Sequence, residues 1–479
     1  MYDLVIIGGG IAGATLGRAM ALAGSRVLIV EQETEFKDRI RGEAIHPWGM
    51  AEARQLGIDQ LLRESCGHEL LLCENYWASI PIGVRDLTRT SPEGVGTLGF
   101  YHPDMQEVLL AAAADAGVEV RRGAKAVHVA PGYPASITLE CDGQKEELTA
   151  RLVVGADGRN SRVRGWAGLV TRSDPSRLTV ASMLLADLDA PDDRFHVLFP
   201  ASFGEMLLIF PIGQRRFRVY FVYQPASFDR KLSGSKQFPA MVDGCVELGA
   251  PRGWFRHARP IGPLAAFDAA DTWVEQPCAA GVVVIGDAAR SNDPSWGSGL
   301  SLALRDVRVL RDELLAQDDW QEAIEKFAIR HEAYYSSIHR LEDWLASLFF
   351  DFGPAADAAR ARVLPKIMFG GGPDLIGLGP DSPSDEAARV TLFGHGGDPG
   401  WLYWLAGRGM AAMARLVKIP GAARALSAMG WCFGQTIGLF MRPTPAVVAA
   451  PKGQSAETND GPRTTDHTDF TDKIESASR

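Results

Sequence analysis

The chain has 479 residues, of which 46% are hydrophobic and 23% charged, a composition typical of globular proteins with sizeable cores. A net charge of −10 and a pI near 5.6 argue against a nucleic-acid partner. The six cysteines form no CxxC pair, so the sequence predicts neither a zinc site nor a disulfide framework. Because a strand pattern begins at once, without a signal or transit peptide, we expect a cytoplasmic protein.

The stretch 3–31 has the pattern of a strand, a glycine-rich turn, a helix and a second strand. These elements are predicted over Leu4–Ile7, Ala14–Ala23 and Arg26–Val30. Gly8 permits a tight turn, Gly10 a close approach of the backbone to a pyrophosphate, and Gly13 close helix–strand packing. Glu31 ends the second strand, where its carboxylate can accept hydrogen bonds from a ribose. The stretch predicts a nucleotide site at the helix N-terminus.

The rest of the chain alternates between helical and strand patterns. Helices are predicted over Met50–Leu56, Gln60–Arg63, Asp104–Ala116 (with Asp104 as N-cap), Lys236–Leu248, Gly299–Leu315 and Trp320–Phe350. Strands are predicted over Leu70–Ile82, Val95–Phe100, Val118–Arg121, Ala124–Val129, Ser136–Glu140, Glu146–Thr149, Arg151–Gly155 and Gly281–Ile285. Four long segments predict an antiparallel sheet, namely Thr179–Leu188, His196–Phe199, Met206–Pro211 and Arg216–Tyr223.

This order predicts several regions. They are a nucleotide-binding domain of 1–175 and 260–345, a sheet lobe of 176–259 with strands from about 70–100, a helical region of 346–442, and a disordered tail of 443–479. The uncharged run Ala425–Met441 is short for a membrane span and contains polar residues. We therefore expect a packed helical hairpin there, and little membrane contact.

Two further stretches follow predicted strands, at the sheet edge where α/β folds bind ligands. The first is DGRNSRVR (Asp157–Arg164), and the second is GDAARSNDPSWGSGLS (Gly286–Ser301). In the second, Asp287 can accept hydrogen bonds from the hydroxyls of a sugar or ribityl chain, and Pro294 forms a rigid wall without a donor. Gly297 and Gly299 open a helix, so that backbone amides can point at the polar edge of a bound ring.

Together the three stretches resemble the motifs of class A FAD-dependent monooxygenases, the para-hydroxybenzoate hydroxylase-like flavoproteins. The matching positions are GGGIAG with Glu31, then Asp157, Gly158, Ser161 and Arg164 of the DG motif, and Gly286, Asp287, Pro294, Gly297 and Gly299 of the second FAD motif. The resemblance covers about residues 1–345. It implies an α/β fold, with a Rossmann-type FAD-binding domain, an inserted antiparallel substrate sheet and a helical C-terminal region.

The resemblance also implies cofactor contacts outside the glycine motifs. Arg39 or Arg41 would lie near the flavin or the pyrophosphate, and Gln106 would approach the flavin. Asp157 and Arg164 would hold FAD and the nicotinamide region. The sequence departs from the family at three positions, with Arg290 in place of His, Ser301 in place of Asn and His102 in place of Arg.

The reaction implied is that NAD(P)H reduces FAD, O2 adds at flavin C4a, and the hydroperoxide transfers one oxygen atom to a small-molecule substrate. No acid–base or metal motif assigns a catalytic residue or a metal, so the chemistry belongs to the cofactor. Amides near Gly297–Gly299 would stabilise the reduced flavin anion. Several aromatic residues of the predicted sheet and of the stretch Gly286–Ser301 favour an apolar or aromatic substrate. They are Phe199, Phe210, Tyr220, Tyr223 and Trp296. The choice between NADH and NADPH, the regiochemistry and the oligomeric state stay open.

Three other functions remain. A flavin-dependent halogenase also has a DP pair, present here as Asp293–Pro294, but the segment Trp77–Pro81 lacks the paired Trp of the halogenase motif WxWxIP and lies too early. A geranylgeranyl-reductase-like enzyme shares the RGE-type loop (Arg41–Glu43) and would reduce a prenyl lipid without O2. The third alternative is a flavin-binding regulatory protein without turnover.

Overall fold

The computed structural model describes residues 1–77, 79–200, 202–225, 232–360 and 374–382. All of them belong to one compact unit, Met1–Trp431. The predicted hairpin at Ala425–Met441, the predicted tail and most of the predicted C-terminal helical region lie outside the described residues. In the part that is described, no helix is long and apolar enough to cross a membrane.

Strands and α-helices extend from Tyr2 to Phe350. The strands are β1 (Tyr2–Ile7), β2 (Val27–Glu31), β3 (Ala44–Ile45), β4 (Gly67–Leu70), β5 (Leu72–Trp77), β6 (Ile80–Asp86), β7 (Thr97–Phe100), β8 (Glu119–Arg122), β9 (Lys125–Ala130), β10 (Ala135–Cys141), β11 (Gln144–Gly155), β12 (Thr171–Ser173), β13 (Leu178–Ala186), β14 (Arg194–Phe199), β15 (Glu205–Pro211), β16 (Arg216–Tyr223), β17 (Arg259–Pro260), β18 (Ala265–Ala269), β19 (Thr272–Val274), β20 (Cys278–Ala279), β21 (Val282–Val284) and β22 (Arg290–Ser291). The helices are α1 (Ile11–Leu22), α2 (Pro47–Gln55), α3 (Asp59–Ser65), α4 (Leu87–Thr90), α5 (His102–Asp115), α6 (Arg162–Trp166), α7 (Phe238–Glu247), α8 (Gly299–Ala316) and α9 (Trp320–Phe350).

The first sheet is a Rossmann-type parallel sheet. Its parallel strands run in the order β21, β11, β1, β2, β8, with β1 at the centre. β1 and β2 are almost wholly apolar and buried because helices α1, α5 and α8 pack on one face and the strands β9 and β10 lie over the other. This architecture confirms the predicted fold class.

The second sheet has the order β17, β13, β16, β15, β14, β5, β6, and β18 also pairs with β13. Its long central strands are antiparallel, whereas β14 and β5 run parallel. Helix α7 covers one face, where Met183, Leu207 and Phe221 are buried. The opposite face carries Phe195, Leu208 and Phe210, which border the site described below.

Three details of the predicted elements are wrong. The segment predicted as one strand over Leu70–Ile82 is divided between β4, β5 and β6, because the chain reverses near Ser79, whose φ is 68°. The strands predicted at Glu146–Thr149 and Arg151–Gly155 are one strand, β11, which pairs first with β10 and then with β1. Asp104 is not an N-cap, since Pro103 lets α5 begin two residues earlier.

Candidate functional site

Two adjoining cavities lie at the carboxyl ends of β1, β2 and β11. The smaller, of about 290 Å³, borders the turn after β1 and the end of β2. The larger, of about 700 Å³, extends to the second sheet. Both are lined by Gly10, Arg39, Arg41, Gln106, Ala156, Gly158, Arg159 and Asn160. The shared wall makes one elongated site with a polar end and an apolar end.

The glycines of the β1–α1 turn have separate roles. Gly8 has φ 105°, and a Cβ there would lie 2.3 Å from the Ala156 carbonyl oxygen. At Gly13 a Cβ would lie 2.0 Å from the Gly8 carbonyl oxygen, so Gly13 allows α1 to pack on β1 and does not itself line either cavity. At Gly10 a Cβ would meet only Gln106 Nε2, at 3.6 Å, and would otherwise enter the cavity. The backbone at Gly10 is therefore open to a bound phosphate group.

Glu31 lines the smaller cavity and is itself almost fully buried. Its carboxylate accepts hydrogen bonds from the amide of Gly9 at 2.7 Å and from the amide of Glu33 at 2.8 Å. Each carboxylate oxygen keeps a second lone pair, which suits the hydroxyl groups of a ribose.

Cationic side chains surround the smaller cavity, although the chain as a whole is acidic. They are Lys37, Arg39, Arg41, Lys125, Arg159 and Arg162. Arg39 is paired with Glu33 at 2.6 Å, whereas no carboxylate lies within ion-pair distance of Arg41 among the described residues. The excess of positive charge, together with the open backbone at Gly10, fits the pyrophosphate of a dinucleotide.

The loop after β11 joins both cavities through Gly158. Asp157 accepts from the amides of Arg162 at 2.8 Å and Val163 at 3.3 Å, so its carboxylate pairs the first amides of α6, whose N-cap is Ser161. Arg164 does not line either cavity; it is buried behind the loop and donates to the carbonyl of Arg159. Both side chains shape the loop, and their contact with a cofactor stays a prediction.

The turn after β21 brings Gly286 and Asp287 to the larger cavity. The amide of Gly286 donates to Asp306 Oδ2 at 2.8 Å. Asp306 Oδ1 accepts a hydrogen bond from His331 Nδ1 at 2.9 Å. Because Asp306 is buried in α8, it fixes this turn from behind. The sequence reasoning missed Asp306, which sits in an ordinary helical pattern.

The flavin loop, residues 291–299, contributes Pro294, Trp296, Gly297 and Gly299 to the larger cavity. Gly297 has φ 71°, and a Cβ there would lie 3.2 Å from His46 Nε2, which donates to the carbonyl of Trp296 at 3.0 Å. Gly299 starts α8, so unpaired amides and the positive end of the helix dipole face the cavity.

Each residue that departs from the family pattern is buried. Arg290 pairs with Glu332, and its guanidinium lies 4.0 Å from the Tyr335 ring centre. Ser301 Oγ accepts from the amide of His46 at 3.2 Å. His102 Nδ1 donates to the Gly42 carbonyl at 2.9 Å, and burial lowers its pKa to about 4. His102 is therefore neutral at physiological pH, unlike an arginine.

The apolar end of the site is formed by the second sheet and the flavin loop. Of the predicted substrate residues, Phe210, Tyr220 and Trp296 line the larger cavity. Phe199 instead stacks on Phe349, and Tyr223 belongs to the core beneath α7. Further apolar wall residues escaped the sequence reasoning, namely Phe195, Val197, Met206, Leu208, Ala265, Ala266, Phe267, Leu345, Leu375 and Ile376.

A narrow cavity of about 40 Å³ lies behind Trp296. Its wall carries Asp174, Asp271, Asp293, Glu342, Asp343 and Asp351, with Arg177 and His339 as cationic partners. Glu342 is buried and accepts from Asn292 Nδ2 at 3.1 Å, and burial raises its pKa well above the ordinary value. Burial likewise raises the pKa of Asp271 to about 6. Two buried carboxyl groups behind the flavin loop, Asp271 and Glu342, therefore keep their protons to a higher pH than exposed carboxyl groups do.

These features together fit FAD. The open turn at Gly10, the carboxylate of Glu31 and the cationic rim suit its ADP half. The loops at Gly286 and Gly297 suit the ribityl chain and the ring. The geometry of the two cavities is therefore compatible with a flavin dinucleotide.

The family model described as the FAD binding domain matches residues 1–318, more than half of the chain, and the chain belongs to that family. Rifampicin monooxygenase of Streptomyces venezuelae is 29% identical over 334 residues, covering 67% of this chain and 65% of that protein. The alignment thus spans less than two thirds of that relative. Digeranylgeranylglycerophospholipid reductase 1 of Methanococcoides burtonii is 26% identical over 336 residues, 67% of this chain and 77% of that protein.

Among solved structures, a flavoprotein/dehydrogenase from Cytophaga hutchinsonii has a TM-score of 0.64 at 18% identity, over 81% of this chain and 98% of that chain, which shows a shared fold. The family match confirms the FAD-binding domain that the motifs predicted, and the relatives that this chain resembles include a monooxygenase and a reductase.

Proposed function

We propose that this enzyme uses NAD(P)H and O2 to insert one oxygen atom into an apolar or aromatic small molecule. The observation that carries the proposal is the elongated site, in which the nucleotide end shares its wall with a cavity of about 700 Å³ that is bounded by the apolar second sheet. Such a cavity has room for a flavin ring and a substrate beside it.

In this proposal the chain binds and orients FAD, and the bound flavin supplies hydride acceptance and oxygen activation. Gly10 would leave room for the pyrophosphate, and Glu31 would hold the ribose. Arg41 and Gln106 border both cavities and would contact the middle of the cofactor. The amides at Gly297–Gly299 and the α8 dipole would stabilise negative charge on the reduced ring.

The same loops would serve the nicotinamide cofactor. Arg159 and Arg162 lie at the rim and carry positive charge towards an anionic ligand. Arg164 acts on this rim indirectly, through its hydrogen bond to the Arg159 carbonyl. We therefore expect Asp157 and Arg164 to affect the use of NAD(P)H through the shape of the loop.

The experiment is to purify the holoenzyme and to follow NADH and NADPH oxidation with phenols, rifampicin and prenyl lipids, with and without O2. Substrate-stimulated oxidation and a product that gains one atom from ¹⁸O2 are expected. Stimulated oxidation without an oxygenated product would reject the monooxygenase. A protein that does not retain FAD would reject the cofactor assignment as well.

A second candidate is the reduction of a prenyl lipid. It is favoured by the match to digeranylgeranylglycerophospholipid reductase 1, which covers 77% of that protein. Anaerobic saturation of a prenyl lipid in the same assay would select this function. A bromide- or chloride-dependent increase in product mass would select halogenation, and FAD binding without any turnover would leave a regulatory role.

A further inference from the structure

Residues 374–382, which we call the strap, contribute to the large cavity from a part of the chain far from its other walls. Asp374, Leu375 and Ile376 line the cavity.

Side chains from two other elements hold the strap. Arg85 of β6 donates to both Asp374 oxygens, at 2.7 and 2.6 Å, and the Arg85 guanidinium is itself fixed by Thr90 Oγ1 at 2.8 Å. The buried indole of Trp48 in α2 donates to the Leu375 carbonyl at 3.1 Å. A two-bond arginine–carboxylate pair and a buried indole donor together define one position for the strap.

The opposite end of the strap is held as well. Arg305 of α8 donates to Asp381 Oδ2 at 3.0 Å. Gly379 has φ 54°, and a Cβ there would lie 2.4 Å from the Trp48 ring, so only glycine allows the strap to lie this close to the indole.

The two apolar side chains of the strap face different surroundings. Leu375 belongs to the buried cluster of Trp48, Leu341 and Leu345, between the helices. Ile376 is only partly buried and packs against the cluster of the second sheet that contains Phe210. Ile376 therefore borders the cavity together with residues of the sheet face, where an apolar ligand would lie.

We propose that Ile376 is a specificity-determining residue, which the strap positions to limit the bulk of the apolar ring system accepted beside the flavin. The inference rests on the proposed function, since it assumes that the ligand of the apolar end is the substrate. Leu378 is the matched control, because it lies in the same strap but lines neither cavity.

The test measures binding of phenol and rifampicin to the holoenzyme through the change in flavin absorbance. Ile376→Trp should weaken rifampicin binding by about tenfold or more and phenol binding by less than about twofold. Ile376→Ala should not weaken either, and Leu378→Ala should match the wild type. Unchanged rifampicin binding in Ile376→Trp, or an equal loss in Leu378→Ala, would overturn the proposal.

A second readout needs neither substrate nor turnover. If the strap forms a wall of the cavity, Asp374→Ala should increase the quenching of bound FAD fluorescence by iodide. The double variant Arg85→Asp/Asp374→Arg, which exchanges the two charges, should restore part of the protection from iodide. Unchanged quenching in Asp374→Ala would reject the strap as a wall, even if NAD(P)H oxidation is normal. Iodide quenching could increase in Asp374→Ala while neither phenol nor rifampicin changes the flavin absorbance of the wild type. In that case the strap is a wall of the cavity, but the proposed substrate class is wrong, and the specificity role of Ile376 is rejected with it.

Discussion

The guanidinium of Arg218 and the carboxylate of Glu43 form an ion pair in which neither side chain is exposed to solvent. Nε lies 2.7 Å from Oε2, and Nη2 lies 2.9 Å from Oε1. Nη2 also reaches Asp38 Oδ2 at 2.9 Å. Burial alone would lower the pKa of Arg218, but the hydrogen bonds and charge of Glu43 outweigh it and raise the pKa, so the guanidinium stays charged. The pair ties β16 of the second sheet to the loop that carries Arg39 and Arg41.

Replacing Arg218 by Met should lower the free energy of unfolding by about 3–5 kcal/mol, because Glu43 then stays buried without its partner. Urea denaturation measures the loss. Arg172→Met removes one partner of the exposed pair with Glu275 and should cost less than about 1 kcal/mol. The double variant Arg218→Met/Glu43→Met should recover most of the stability, and equal costs for Arg218→Met and Arg172→Met would contradict the prediction.

Alanine substitutions at Gly10 and Gly13 should have different effects, one on FAD affinity and the other on the stability of the apoprotein. Gly10→Ala places a methyl group in the cavity and should weaken FAD binding by about tenfold or more, while the apoprotein loses at most about 1 kcal/mol as a helix N-cap. Gly13→Ala forces a Cβ against the Gly8 carbonyl and should destabilise the apoprotein by about 3 kcal/mol. Fluorescence titration with FAD and urea denaturation distinguish the two effects. Full FAD affinity in Gly10→Ala would place the pyrophosphate elsewhere.

The sequence was informative where function depends on backbone geometry. Gly8, Gly10 and Gly13 have a fixed spacing and a fixed strand–helix setting, so their positions in the turn could be predicted. The apolar runs likewise predicted β1 and β2.

Contacts between distant segments could not be predicted in this way. Arg218 alternates with apolar residues in β16, as a solvent-facing residue would, and only Glu43 and Asp38, about 180 positions earlier, explain its burial. The strap reaches the cavity through Arg85 and Trp48, which no local pattern connects with residues 374–382. Side-chain partners far apart in sequence leave no periodic signal.

Asp306 should be needed for FAD retention although it does not line the cavity. Asp306→Ala removes the acceptor of the Gly286 amide and the partner of His331, and each unpaired buried group costs about 1–3 kcal/mol. FAD affinity should fall because the Gly286–Asp287 turn loses its support. Asp312→Ala on the same helix removes only a partly exposed carboxylate and serves as the control. Equal FAD affinities in the two variants would show that the turn holds its shape without Asp306.

The buried carboxyl group of Asp271 behind Trp296 should make the free energy of unfolding decrease as the pH rises. Burial raises the pKa of Asp271 to about 6, against the lowering effects of His339 and the Tyr335 hydrogen bond, and Asp293 and Asp174 raise it further. The folded state therefore binds a proton more tightly than the unfolded chain, and stability from this group falls as the pH rises from about 4 to about 6. A rise in pKa from 3.8 to about 6 corresponds to about 3 kcal/mol.

Asp271→Asn should remove this loss, because the amide still accepts from Tyr335 but does not ionise. Relative to the wild type, its free energy of unfolding should increase between pH 4 and pH 7 by up to about 3 kcal/mol, as measured by urea denaturation across that range. Asp343→Asn, at an exposed carboxylate paired with Arg177, should show no such increase. Parallel curves for wild type and Asp271→Asn would contradict the prediction, because they would mean that the pKa of Asp271 is the same in the folded and the unfolded chain.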